Sequence, residues 1–159
     1  QSCATQRTSI CPTPFGMMSD FSLQFGAGVA EAIRAHACED YPHECCGALL
    51  GTEEGNRRLV GRIIRLTNER TDERERRFFV SPQQVLMVER TASREGLLLL
   101  GFYHSHPDHP AIPSEYDRQH ALPYYSYVIV SVQQGEPKEI RSWRLNEDRA
   151  GFTEEICVE

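Results

Sequence analysis

Leu97-Leu98-Leu99-Leu100-Gly101-Phe102-Tyr103-His104-Ser105-His106-Pro107 is the stretch on which the fold turns. Its apolar run is far shorter than the roughly 20 residues of a membrane helix and suits a buried strand. The run ends in two histidines separated by one residue. Side chains alternate along a strand, so His104 and His106 share a face and their imidazoles converge at its end. Beyond them, Pro107, Pro110 and Pro113 stiffen a short loop. Ser114 then caps a helix reaching about Ala121, with Asp117 one turn in on the side of Ser114. A helix packed beside the strand brings the Asp117 carboxylate to the same point. Two imidazole nitrogens and one carboxylate oxygen make the sphere of a catalytic zinc, one ion per chain, with the fourth position open to water. Such an ion lowers the pKa of its water toward about 7 and polarises a carbonyl.

Working outward, the flanking sequence alternates strands with a few helices. Val29, Ala30, Ile33, Ala37 and Cys38 form a helical stripe that ends before Pro42. Cys46–Gly51 reads as a short buried strand closed by glycine, and Leu59–Leu66 as another. Phe78–Val80 reads as a strand. Ser81-Pro82 is an N-cap with proline at the first helical position, opening a helix to about Glu95. Tyr125–Val132 and Glu139–Leu145 are further strands. Between them, Glu69–Arg77 (ERTDERERR) is a dense mixed-charge run, read as a solvated loop. The pattern is that of an α/β domain around one sheet.

The 159 residues suffice for one domain with a sizeable core. Residues 1–18 are polar and without hydrophobic period, and are expected to be a disordered leader or a cloning remnant. Residues 19–159 are expected to form a single domain. Six cysteines include the adjacent pair Cys45-Cys46 but no C-x-x-C, and read as reduced thiols of a cytoplasmic protein. A net charge of −6 argues against a nucleic-acid binder. No stretch is apolar enough for a membrane-spanning helix.

The proposed metal site still needs a general base. Glu44, in Pro42-His43-Glu44-Cys45-Cys46-Gly47, lies between a helix and a glycine-flanked apolar strand, where a carboxylate enters a pocket. Rival motifs fit less well. His43-Glu44 opens an H-E-x-x-H, but Gly47 stands where the second histidine belongs. His104–His109 matches the H-x-H-x-D-H string of metallo-β-lactamase-fold hydrolases. Those enzymes need further ligands far downstream, where only His120 remains. The H-x-E and P-C-x-x-C of zinc deaminases are missing. A Cys–His nucleophile using Cys45 or Cys46 stays open, although cysteines beside an apolar strand are more often inert core. Gly26-Ala27-Gly28 follows no strand in this reading and is a weak phosphate-loop signal.

Taken together, Glu44 in E-C-C-G-x-L-L-G, then His104-Ser105-His106-Pro107, then Ser114-Glu115-Tyr116-Asp117 resemble the JAMM (MPN-plus) metalloprotease motif. The resemblance covers roughly Phe21–Val132. It implies a cytidine-deaminase-like α/β fold, a curved mixed sheet flanked by helices. It implies zinc held by His104, His106 and Asp117, with Glu44 activating water and passing its proton to the leaving amine. Ser114 is implied to hold the oxyanion. Ser105 is read as orienting the loop and His109 as solvated or touching substrate. The implied reaction is hydrolysis of the amide after the C-terminal Gly-Gly of a ubiquitin-like sulfur-carrier protein. The bacterial single-domain members look most similar. The resemblance also allows a homodimer, and allows Glu69–Arg77, otherwise read as solvated, to touch a carrier through its arginines. A non-proteolytic zinc hydrolase and an inactive MPN scaffold are the alternatives.

Overall fold

A computed structural model describes residues 20–74 and 80–159. The expected leader and most of the expected Phe78–Val80 strand lie outside the described residues. In chain order the elements are β1 (Ser22–Phe25), α1 (Val29–Asp40), β2 (Cys46–Glu54), β3 (Arg57–Leu66), α2 (Pro82–Arg94), β4 (Leu98–Pro107), α3 (Glu115–His120), β5 (Ser126–Gln133), β6 (Glu136–Leu145) and β7 (Phe152–Val158). The strands run β1-β3-β2-β4-β5-β6-β7, and β7 pairs back onto β1. The expected curved mixed sheet is therefore curved far enough to close. Parallel pairs join β1 to β3, β1 to β7 and β4 to β5, and the remaining pairs are antiparallel.

The continuous apolar character of β2 follows from burial on both faces. Cys45 and Leu49 pack with Val29, Ile33 and Ala37 of α1. Cys46, Ala48 and Leu50 pack instead with Val88 and Ala92 of α2. Gly47 sits where a Cβ would lie 2.1 Å from the Tyr103 ring, so only glycine lets that ring cross β2. Helix α2 starts as its sequence predicts: Ser81 Oγ accepts the Gln84 amide at 3.3 Å and Pro82 occupies the first turn.

A buried cation ties the barrel together. Arg58 of β3 is 1% exposed. Its guanidinium donates to Glu53 Oε2 (2.6 Å), Leu100 O (3.1 Å), Ser126 Oγ (2.9 Å) and Tyr124 O (2.8 Å). Ser126 Oγ in turn donates to buried Glu155 of β7, which also accepts from Ser142 Oγ at 2.7 Å and from Arg144. Every charged member thus meets partners, as burial of charge requires.

Candidate metal centre

The β2–β4 register places the site. Cys46 stands opposite His104 in the antiparallel ladder. Continued by two residues, that register sets Glu44 opposite His106. Along β4, Tyr103 belongs to the α1-side core and Phe102 packs on the α2 side, so His104 and His106 share the Phe102 face while Ser105 takes the other. The expected convergence of the two imidazoles is found: their Nε2 atoms are 3.0 Å apart.

The third group arrives from α3. Ser114 Oγ accepts the Asp117 amide at 3.1 Å, and Asp117 Oδ2 accepts the Ser114 amide at 2.8 Å, a reciprocal capping box. That box fixes the carboxylate, whose Oδ2 lies 3.3 Å from His104 Nε2 and 3.2 Å from His106 Nε2. His106 Nδ1 bonds the Pro110 carbonyl at 2.8 Å, which sets Nδ1 as the protonated nitrogen and turns the Nε2 lone pair inward.

Four-coordinate zinc binds nitrogen and oxygen at about 2.0–2.1 Å, so donors at tetrahedral corners stand roughly 3.3–3.4 Å apart. The spacings of 3.0, 3.2 and 3.3 Å match that edge closely. His104, His106 and Asp117 thus each offer one ligand atom to a common point, a grouping that could hold a metal ion. Burial pushes the Asp117 carboxyl up, but the two imidazoles reverse this and hold it well below the usual carboxylate range. For His106 burial works to lower the pKa, and the Asp117 hydrogen bond and charge outweigh it. The ionised Asp117 is the state a metal would also use, whereas at His106 a metal would take the Nε2 lone pair in place of the proton.

The loop carrying these ligands is pinned by more than its prolines. Trp143 Nε1 donates to Ala111 O at 3.0 Å, Ala111 N donates to Glu139 Oε1 at 3.2 Å, and Ser131 Oγ donates to His109 O at 2.5 Å. The His109 ring is exposed and lines a cleft of about 400 Å³ with Glu44, His106 and Ser114.

Glu44 is 5% exposed, and burial raises its carboxyl to about 8. Its main chain is clasped from two sides: its amide donates to Arg74 O at 2.7 Å, and Asn68 Nδ2 donates to its carbonyl at 3.3 Å. The described part of the charged run is largely exposed, as expected of a solvated loop. Its backbone nevertheless reaches Glu44 through the Arg74 carbonyl, and Arg70 leans over the Tyr116 ring of α3, 5.7 Å from its centroid. The sequence reading missed Asn68 and Arg74 because both act on the backbone of Glu44, one of them through its own carbonyl. Such roles leave no mark on residue type. Cys45 and Cys46 are fully buried, and burial pushes the Cys45 thiol up to about 12 and the Cys46 thiol up as well. That environment suits core, not a nucleophile.

Comparison with known proteins extends these observations. Residues 26–146 match the model for prokaryotic homologs of the JAB domain. The chain is 37% identical over 102 residues to the probable TtuB-protein conjugate cleaving protease of Thermus thermophilus, covering 64% of this chain and 65% of that relative. It is 34% identical over 127 residues to the CysO-cysteine peptidase of Mycobacterium tuberculosis, covering 79% of this chain and 84% of the relative. Among solved structures, a protein of Desulfitobacterium hafniense superposes with a TM-score of 0.74 at 31% identity, over 86% of this chain and 91% of the other. A JAB1/MPN-domain protein from Archaeoglobus fulgidus shares the fold, with a TM-score of 0.54 at 20% identity over 87% of this chain and 100% of the other.

Proposed function

Because the chain belongs to the family of prokaryotic JAB-domain homologues, we propose that it is a zinc-dependent peptidase that cuts the amide after the C-terminal Gly-Gly of a ubiquitin-like sulfur-carrier protein. The observation that carries this reading is the convergence of His104 Nε2, His106 Nε2 and Asp117 Oδ2 within 3.3 Å, with Glu44 in the adjoining cleft. The names of two relatives, a TtuB-conjugate protease and a CysO-cysteine peptidase, support the substrate class.

His104, His106 and Asp117 would hold one zinc ion, which when bound supplies Lewis acidity toward water and the scissile carbonyl. Glu44 accepts the proton of the attacking water. Burial raises the Glu44 pKa and a cation beside it would lower it again, so the carboxylate can take a proton and, once protonated, give it back. It then delivers that proton to the departing amine. Among the described residues, Ser114 Oγ is engaged as acceptor of the Asp117 amide. Its own O–H is left to donate to the carbonyl oxygen as negative charge grows there. Ser114 thus has two tasks, capping the helix that carries Asp117 and stabilising the oxyanion. The catalytic unit in this reading is the single domain from residue 19 onward, with the cytidine-deaminase-like topology of its family.

Purified protein should carry one equivalent of zinc, and His104→Ala should lose it. Glu44→Gln should keep the zinc and lose turnover on a carrier conjugate. Zinc retained by His104→Ala removes the metal site, and turnover retained by Glu44→Gln removes Glu44 as base. An inactive, metal-free scaffold would carry no zinc. A non-proteolytic hydrolase would bind it and leave the diglycine conjugate intact.

A further inference from the structure

Two hollows meet at the cluster of His104, His106 and Asp117. One is the cleft that holds Glu44 and His106; the other is a cavity of about 260 Å³ that reaches His104 and Asp117. Tyr116 lines both. Their chemistry differs sharply. The cleft presents Glu44, Glu73, His109 and Glu115. The cavity is an aromatic box: Phe102 meets Tyr125 edge-on at 5.4 Å and stacks on Tyr127 at 6.3 Å, and Tyr127 meets Phe152 edge-on at 6.3 Å. Such contacts fix the ring positions. Tyr127 Oη also accepts the Leu122 amide at 2.8 Å, which pins the rim. Leu122 is 52% exposed at that rim and neighbouring Tyr124 is 53% exposed, so the apolar surface continues outward.

Size and position select an occupant. A dry apolar cavity of about 150 Å³ admits benzene, so about 260 Å³ admits one aromatic or branched aliphatic side chain. In the proposed reaction Glu44 returns its proton to the leaving amine, so the leaving group departs through the Glu44 cleft. The acyl side then points toward the other hollow. The last two acyl residues are glycines and bring no side chain. Two extended residues span about 7 Å, so the first side chain available is that of the residue just before the diglycine. We propose that the aromatic cavity is the pocket for this side chain, and that the carrier cleaved by this protein ends in a large apolar residue followed by Gly-Gly. The inference rests on the peptidase reading and adds to it a rule about the carrier's tail.

The test uses carrier conjugates that differ only in the residue before the diglycine: Leu, Phe, Ala or Asp. With zinc-loaded protein, kcat/KM for Leu and Phe should exceed that for Ala by roughly tenfold, with Asp lowest. Filling the cavity should bring the Leu-to-Ala ratio toward one. Ala121→Leu fills it from the buried wall and Val85→Phe from α2, so a folding defect in one leaves the other to report; zinc content checks both. Independently of turnover, acetyl-Leu-Gly-Gly should shift the amide resonances of Tyr127 and Phe152, acetyl-Asp-Gly-Gly should not, and Ala121→Leu should abolish the shifts. Equal kcat/KM for all four conjugates overturns the pocket while leaving the peptidase reading intact. Failure to cut any conjugate at full zinc occupancy overturns the peptidase reading. The pocket then stands or falls on the peptides, and equal binding of the two overturns it.

Discussion

Ser105 Oγ accepts the Cys45 amide at 2.8 Å, and the Ser105 amide donates to the Cys45 carbonyl at 3.1 Å. Ser105 stands between the two histidines, and Cys45 follows Glu44. This double clasp locks the segment carrying the proposed base, just before β2, to the strand carrying the two proposed histidine ligands. Ser105→Ala should leave a buried amide unsatisfied, costing about 1–3 kcal/mol of stability. It should keep one zinc equivalent while kcat falls roughly tenfold, because a small misplacement of a base is expensive. Ser105→Thr keeps the hydroxyl and should restore kcat. Wild-type kcat in Ser105→Ala would show that the clasp does not position Glu44.

Glu44 makes stability depend on pH in a defined direction. Its carboxyl is raised by burial from 4.5 to about 8 in the folded protein. Between these values the folded state holds a proton that the unfolded chain has released, so stability falls as pH rises. Glu44→Gln removes this term. In metal-free protein, urea denaturation should show the variant gaining on wild type from about pH 4.5 and levelling above about pH 8. The plateau should be on the order of a few kcal/mol. Saturating zinc favours the carboxylate and should shrink the gap. Parallel stability curves without metal would contradict this account of Glu44.

Arg58 is expected to be a large contributor to barrel closure. Arg58→Ala strands the carbonyls of Leu100 and Tyr124 and removes a partner from Glu53 and Ser126. The cost should be about 3 kcal/mol, seen as a Tm lower by roughly 10 °C. Arg58→Lys keeps the charge but loses the fork of donors, and should recover only part of the loss. A Tm unchanged in Arg58→Ala would show the network to be energetically idle.

The buried thiols should be silent. With its pKa pushed up to about 12 and no exposed surface, Cys45 has almost no thiolate near neutrality. Iodoacetamide at pH 8 should leave Cys45 and Cys46 unmodified in the folded protein and label both after denaturation, as read by peptide mass spectrometry. Rapid labelling of Cys45 in the folded state would reopen the thiol-nucleophile reading.

Much of the site was legible in the sequence, because its geometry rests on local periods. Alternation in a strand put His104 and His106 on one face, and a cap followed by one helical turn set Asp117. The missed elements are those that depend on distant partners. Strands β1 and β7 are short; β1 gains its place by pairing with β3, β7 by pairing with β6, and the two pair in parallel with each other across the whole chain. In β7 the charged pair Glu154-Glu155 hides the strand. Glu155 is nevertheless buried, because Ser126, Ser142 and Arg144 satisfy it. The charged loop is largely solvated, as its composition suggests, but composition reports side chains, whereas Arg74 serves Glu44 through its backbone carbonyl.

The central claim is tested most directly by incubating the zinc-loaded protein with a diglycine-tailed carrier joined to a lysine peptide, and weighing the products by mass spectrometry. The account predicts a carrier ending in a free Gly-Gly carboxylate, no product after chelation, and product again when one equivalent of zinc is returned. An intact conjugate at full zinc occupancy, or cleavage that persists after chelation, would contradict it.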